Sequence, residues 1–309
     1  MTSINRRAGY LALLCTLWLA TPRAGAATLF THVSPESPQD QRTRYEQDLL
    51  RLALEETRAD FGEYQLALAP PMNRVRLLQQ LAQNSYPNLI ASHAWLSPSK
   101  RPHLGHVRFP ITLGMLSYRV CFVNEGRQAD FSQVRTLAAL RTFRQVQGRG
   151  WQDALVLRHA GMQVQEVDDY ERLFRLVARG RADLFCRGTG EVYQEWQRRQ
   201  AMPGLALDSQ IALSYPNPHL FYSHEANGAA LTRVQTGLER AWRKGSLQRL
   251  WRQHFQPALD LVQPQRRHVL VLDNPYLEGI DFDYQAYFHR RIGEEADSPP
   301  EDQEQKKAP

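Results

Sequence analysis

The chain has 309 residues, enough for one large or two medium domains with a core that needs no staples. Hydrophobic residues make up 42% and charged residues 23%, which excludes collagen-like, coiled-coil and wholly disordered chains. The formal charge is +6, but the arginines are interspersed with acids rather than gathered in a stripe, which argues against a nucleic-acid partner.

Arg6 and Arg7 precede an apolar run over residues 8–20, and Pro22 and Ala24-Gly25-Ala26 follow it. A basic start, a short apolar centre and a small-residue exit predict a cleaved secretory signal peptide over residues 1–26, with an uncleaved membrane anchor as the alternative. The run is short for a bilayer span, and no other apolar run approaches ~20 residues. Cleavage removes three arginines and no acid, so the mature charge falls to +3. Cys15 leaves with the signal. The two cysteines left, Cys121 and Cys186, each lie in an apolar strand-like run. One pair makes no disulfide framework, so both are expected as free buried thiols.

Residues 28–33 read as a first strand. Tyr45, Leu49, Leu52 and Ala53 recur at helical spacing and predict an amphipathic helix to about Phe61. Tyr64, Leu66 and Leu68 alternate as a strand. Asn73 is placed to cap a helix with Val75, Leu78, Leu81 and Ala82 on its apolar face. Residues 89–91 form a short strand, and a Pro-rich loop carries the chain past Pro110. Strands are expected at 118–123, 143–146, around Val164 and Val167, at 183–186, 207–213 and 220–223. Helices are expected at 151–160, from Asp169 to Gly180, at 189–199, 229–244 and 247–255. Short strands alternating with helices predict an α/β fold with largely parallel sheets. After Arg291 the composition turns to Glu, Asp, Pro, Gln and Lys, and residues 292–309 read as a disordered tail.

Gly148-Arg149-Gly150-Trp151 opens a helix after a strand. Free backbone N–H groups at such a start favour an anion, and Arg149 adds a forked donor. The full dinucleotide fingerprint is absent, as is a phosphate loop ending in Gly-Lys-Ser/Thr, so no cofactor is expected. Arg187 ends a strand with Glu191 one helical turn later. They either hold a polar ligand or hold each other. His103 and His106 lack the spacing of a metalloprotease helix, and no metal site is expected.

Several stretches follow one another in a telling order between residues 28 and 256. They are Arg74-Val75-Arg76-Leu77-Leu78-Gln79-Gln80-Leu81, Pro98-Ser99-Lys100-Arg101, Arg108-Phe109-Pro110-Ile111, residues 148–151, Gly180-Arg181-Ala182-Asp183, and the closing helix from Gly237 to Gly245-Ser246. This order resembles solute-binding protein family 3 of bacterial transporters. The resemblance implies a two-lobe type II periplasmic binding fold with a hinge between the lobes. Lobe one is expected over 28–114 plus 208–262 and lobe two over 118–205. The crossings would lie near 115–118 and 206–210, with 265–291 as a C-terminal extension. Amino-acid-binding members carry an Asp beyond the Gly-Arg-x-Asp strand that grips an α-amino group. Gly188 stands in that place here. Lys100 and Arg101 fall near the usual carboxylate-gripping Arg.

The implied function is a non-catalytic, monomeric periplasmic binding protein for a small polar, anionic solute. It would serve an inner-membrane permease of the ABC type or a sensor, with lobes that close on the ligand. The expected ligand-binding residues are Arg149, Gly150, Trp151, Arg187 and Glu191 in lobe two, with Trp95 and Arg101 in lobe one. A sensor or adaptor on the same fold is one alternative. A dehydratase-type enzyme is the other, and for it Glu191 and Asp183 are the acids near the presumed cleft.

Overall fold

The computed structural model describes residues 26–35, 43–72 and 74–288. Residues 1–25 of the expected signal peptide and the tail at 292–309 lie outside them. Strands β1 (Thr28–Val33) and β2 (Tyr64–Ala69) pair in parallel. Helix α1 (Arg44–Glu56) joins them, burying Tyr45, Leu49, Leu50, Ala53 and Leu54. Helix α2 (Arg74–Ala82) buries Leu77 and Leu81, while Val75, expected on its apolar face, is 63% exposed. Strand β3 (Ala91–Ala94) enters a second small sheet. The stretch expected as loop before Pro110 contains strand β4 (Leu104–His106), which is held in that sheet by a partner distant in sequence.

The larger sheet has β5 (Tyr118–Asn124) near its middle. Strands β6 (Arg144–Gly148) and β7 (Gln163–Val167) flank helix α3 (Gln152–His159) and pair in parallel. Helix α4 (Tyr170–Ala178) is capped by Asp169, whose carboxylate accepts the Arg172 N–H at 2.9 Å. Strand β8 (Leu184–Gly188) and helix α5 (Thr189–Arg199) follow. The single strand expected at 207–213 is two, β9 (Leu205–Leu207) and β10 (Ile211–Ser214). Asp208 divides them, its carboxylate accepting the N–H groups of Gln210 and Ile211 at 3.0 and 2.8 Å. Both strands pair with β5, so β10, expected in lobe one, belongs to the large sheet. Ile211, Ala212 and Leu213 are all buried, as a strand covered on both faces requires.

Strand β11 (His219–His224) returns the chain to the small sheet, ordered β3-β11-β4. Helices α6 (Gly228–Arg243) and α7 (Ser246–Val262) close lobe one. A Cβ on Gly237 would stand 2.0 Å from the Ala53 carbonyl oxygen, so only glycine lets α6 lie this close to α1. Strand β12 (His268–Val271) then adds to the large sheet in parallel with β10, completing the order β12-β10-β5-β8-β6-β7.

The two lobes thus have separate sheets, and two crossings lie side by side between them. The first is residues 115–118. The second is residues 215–218, beyond the expected 206–210. The N–H groups of Tyr215 and Asn217 donate to Ser117 O and Oγ, each at 3.0 Å. The C-terminal extension makes a further connection. Leu270 and Leu272 are buried in the large-sheet lobe, and Asn274 Nδ2 donates to Pro216 O at 2.7 Å. Residues 277–287 then pack on lobe one through Leu277, Ile280, Phe282 and Tyr287.

The thiol expectation is overturned. Antiparallel pairing sets Cys121 of β5 directly opposite Cys186 of β8, and the two form a disulfide. Register between two strands 65 residues apart decides this, and neither strand alone signals it.

Candidate functional site

A cleft of about 270 Å3 opens between the lobes. Lobe one supplies Arg74 and Val75 at the start of α2, His93 and Ala94 of β3, and His219 of β11. The large-sheet lobe supplies Arg119, the turn 148–153, Tyr170, Arg187 and Glu191, and the crossings add Leu116 and Asn217. A smaller hollow of about 120 Å3 shares Arg74, Leu116, Glu191 and His219 and reaches Tyr45 and Glu46 on α1.

The turn after β6 is built by its glycines. A Cβ on Gly148 would stand 2.3 Å from the Trp151 ring, so glycine is what lets the indole fold over the strand end. Gly150 has φ +73°, the left-handed region that favours glycine. The anion expected here is displaced by the chain's own carboxylates. Gly150 N–H donates to Glu166 Oε2 at 2.9 Å, and Arg149 donates to both oxygens of Asp168 at 2.5 and 3.2 Å. Asp153 occupies the first turn of α3, where the helix dipole favours a negative charge.

Arg187 is 2% exposed. Its Nε donates to both oxygens of Glu195 at 2.9 and 3.1 Å, and its Nη2 donates to Glu191 Oε1 at 2.6 Å. The guanidinium carbon lies 4.5 Å from the centre of the Trp151 ring. Of the two alternatives the sequence left open, Arg187 and Glu191 hold each other. Glu191 Oε2 also accepts the Gly188 N–H at 3.1 Å. A Cβ at Gly188 would stand 2.7 Å from a Leu116 methyl and 3.1 Å from Glu191 Oε2, so an Asp there would have to displace both side chains.

Trp95 and Arg101 do not line the cleft. Trp95 is 1% exposed, and its Nε1 donates to Glu278 O of the C-terminal extension at 3.0 Å. Arg101 stacks 4.9 Å over that indole and donates to His106 Nδ1. Burial first, and the Arg101 charge next, lower the His106 pKa to about 4. The extension packs against this indole, a contact between distant segments that local sequence gives no sign of. Asp183 is likewise away from the cleft, paired with Arg127 and Arg144 at the other end of β8.

The cleft side chains that sequence reasoning passed over are Arg74, His93, Arg119, Asp153, Tyr170, Asn217 and His219. Arg119 had a visible signal, an arginine inside the apolar strand run 118–123. It is 2% exposed, and its Nη2 lies 2.7 Å from Asp153 Oδ1. Its guanidinium carbon stands 4.8 Å from the centre of the Tyr215 ring, and the Tyr215 hydroxyl also donates to Asp153. Tyr170 donates its hydroxyl to Glu195. Burial, and then the Arg74 charge, lower the His93 pKa to about 3 and take His219 well below the usual range, so both imidazoles are neutral near pH 7. The lining guanidinium groups of Arg74, Arg119, Arg149 and Arg187 face Asp153, Asp168 and Glu191, with Glu195 behind Arg187. Three lining carboxylates thus offset most of the charge of the four lining guanidinium groups. Among the described residues, no group of three or more His, Cys, Asp or Glu is gathered as metal ligands.

The sequence matches no protein-family model and no curated protein. Its backbone, however, is similar to many solved structures. One is a Salmonella typhimurium periplasmic binding protein of high arginine specificity, at 13% identity over 74% of this chain and 100% of that one, with a TM-score of 0.54. Another is the GluR0 ligand-binding core of Nostoc punctiforme in complex with L-glutamate, at 15% identity over 74% and 100%, with a TM-score of 0.52. A third is an ancestral amino-acid-binding protein, a precursor of cyclohexadienyl dehydratase, at 12% identity over 74% and 96%, with a TM-score of 0.55. The chain has the type II periplasmic binding fold. In that fold the cleft just described is the space between the lobes. At these identities the likeness is one of fold, and the residues that fill the cleft are this chain's own.

Proposed function

We propose that this protein is a periplasmic solute-binding protein that takes up one small polar molecule between its lobes. The observation that carries this is the cavity itself, lined from both lobes by charged, aromatic and neutral imidazole side chains. Its 270 Å3 lies near the lower end of ligand pockets, roughly 300 Å3 and upward, which suits a small metabolite. A solute touching both lobes favours their approach, because only the closed form makes both sets of contacts. Neighbours of the same fold bound to arginine, glutamine or L-glutamate support a solute of amino-acid size. A permease or a membrane sensor would then read the closed form.

Catalysis is the weaker reading, although a neighbour is the precursor of a dehydratase. An elimination needs an acid poised to give its proton to the leaving group. Asp153, Asp168 and Glu191 each already hold an arginine. The test is a thermal-shift screen of the mature protein against amino acids, small organic acids and phosphorylated metabolites. A solute at 100 times its dissociation constant adds about 2.7 kcal/mol to stability. Scattering with the hit present should show a smaller radius of gyration. A full screen without a shift refutes the proposal, and turnover of a hit reverses the ranking of binding over catalysis.

A further inference from the structure

Solute uptake in the cleft, on which this inference rests, leaves open which group holds the solute. Arg149 pairs with Asp168 at the exposed rim, and Arg187 is held by buried Glu195 and by Glu191. Arg74 donates Nη1 to Ser92 O at 2.8 Å. Arg119 differs from all three. One of its nitrogens meets Asp153, while Nε and Nη1 are buried and have no hydrogen-bond partner. Asn217, 3% exposed and lining the same cavity, has its Oδ1 in the same condition. Buried polar groups without partners are rare because each gives up water for nothing. Here three of them sit on two residues that line one cavity. They also lie on the two adjacent crossings, Arg119 just after residues 115–118 and Asn217 within 215–218.

We propose that Arg119 is the anchor of the cleft and that the solute presents a carboxylate to it. The Nε–H and Nη1–H groups donate to the carboxylate oxygens, and Asn217 Oδ1 accepts an N–H or O–H of the same molecule. Arg119 suits this task because its guanidinium is planar, permanently charged and held still by Asp153 and the Tyr215 ring. A single carboxylate fits better than a dianionic phosphate, because Asp153, Asp168 and Glu191 also line the cavity. Leu116 and Trp151 cover the less polar part of the solute. Binding at the crossings ties the solute's anion to the hinge itself, whereas Arg149 and Arg187 serve to shape the turn and the wall beside it.

The test uses the mature protein with L-arginine, L-glutamine and L-phenylalanine, each beside its C-terminal amide, and with inorganic phosphate. At least one free acid should raise the melting temperature of the parent, with its amide and phosphate inert. Calorimetry should then show affinity at least about tenfold weaker in Arg119→Lys and in the double variant Arg119→Gln/Asp153→Asn. The double variant removes both members of the buried pair, so no charge is stranded and the fold is retained. Arg243→Gln, an exposed arginine at the end of α6 outside the cleft lining, should bind as the parent does. Unchanged affinity in both Arg119 variants overturns the anchor and leaves solute binding standing. An amide that binds as well as its acid, or binding of phosphate alone, overturns the carboxylate. Silence of the parent with every probe counts against solute binding itself.

Discussion

Replacing Arg187 with methionine tests whether this arginine is part of the wall or part of the grip. The side chain is 2% exposed and donates to Glu195, 3% exposed, and to Glu191. Methionine fills much of the stem's volume but leaves Glu195 buried with only the Tyr170 hydroxyl and no counter-charge. Breaking a buried ion pair from one side costs about 3–5 kcal/mol. At about 2–4 °C per kcal/mol for a chain of this size, the melting temperature should fall by roughly 6–20 °C. The double variant Arg187→Met/Glu195→Gln removes the stranded charge and should recover most of the loss. Urea unfolding at pH 7 followed by circular dichroism measures both, with the slope of the transition as a check on the unfolded state. A loss below about 1 kcal/mol in the single variant would refute the buried-pair reasoning and return Arg187 to the candidates for solute contact.

Three further outcomes are expected. Mature protein unfolded without reductant should show no free thiol in a colorimetric assay, and Cys121→Ala/Cys186→Ala should lose about 2–4 kcal/mol by urea unfolding; two titratable thiols would refute the pairing. His32 is fully buried with Nδ1 2.6 Å from Ile90 O, and burial lowers its pKa to about 4. The unfolded chain takes up a proton near pH 6.5 that the folded chain refuses until about pH 4, so stability falls as pH drops through that window, by up to about 3 kcal/mol. His93, His106 and His219, also lowered, contribute over the same range, so His32→Gln should reduce the slope there without abolishing it, and an unaltered slope in pH-dependent melting would count against it. A stop after Phe288 should leave the melting temperature within error, whereas a stop after Leu272 uncovers the surface under Leu277, Ile280, Phe282 and Tyr287 and should cost at least about 3 kcal/mol. Equal melting of the two truncations would show that the extension does not brace the lobes.

Periodicity along the chain determined most of the elements. The helix at Thr189–Arg199 and the cap at Asp169 followed from local spacing, because helix faces and caps depend on residues within a turn of each other. The order of the pieces pointed to two α/β lobes, and strand ends pointed to the turn at 148–151, to Arg187 and to Glu191 as cleft residues. What those groups do there was decided by partners far away in sequence. Arg149 meets Asp168, 19 residues on, and Gly150 N–H meets Glu166, so an inviting anion site is filled by the chain itself. Trp95 is held by an extension 183 residues later and Arg101 stacks on it outside the cleft lining, and Cys121 met Cys186 through strand register. Local spacing governs which segments form, because the relevant contacts are within a few residues. The tertiary structure alone decides which charges neutralise one another and which buried donors, as at Arg119, are left without a partner.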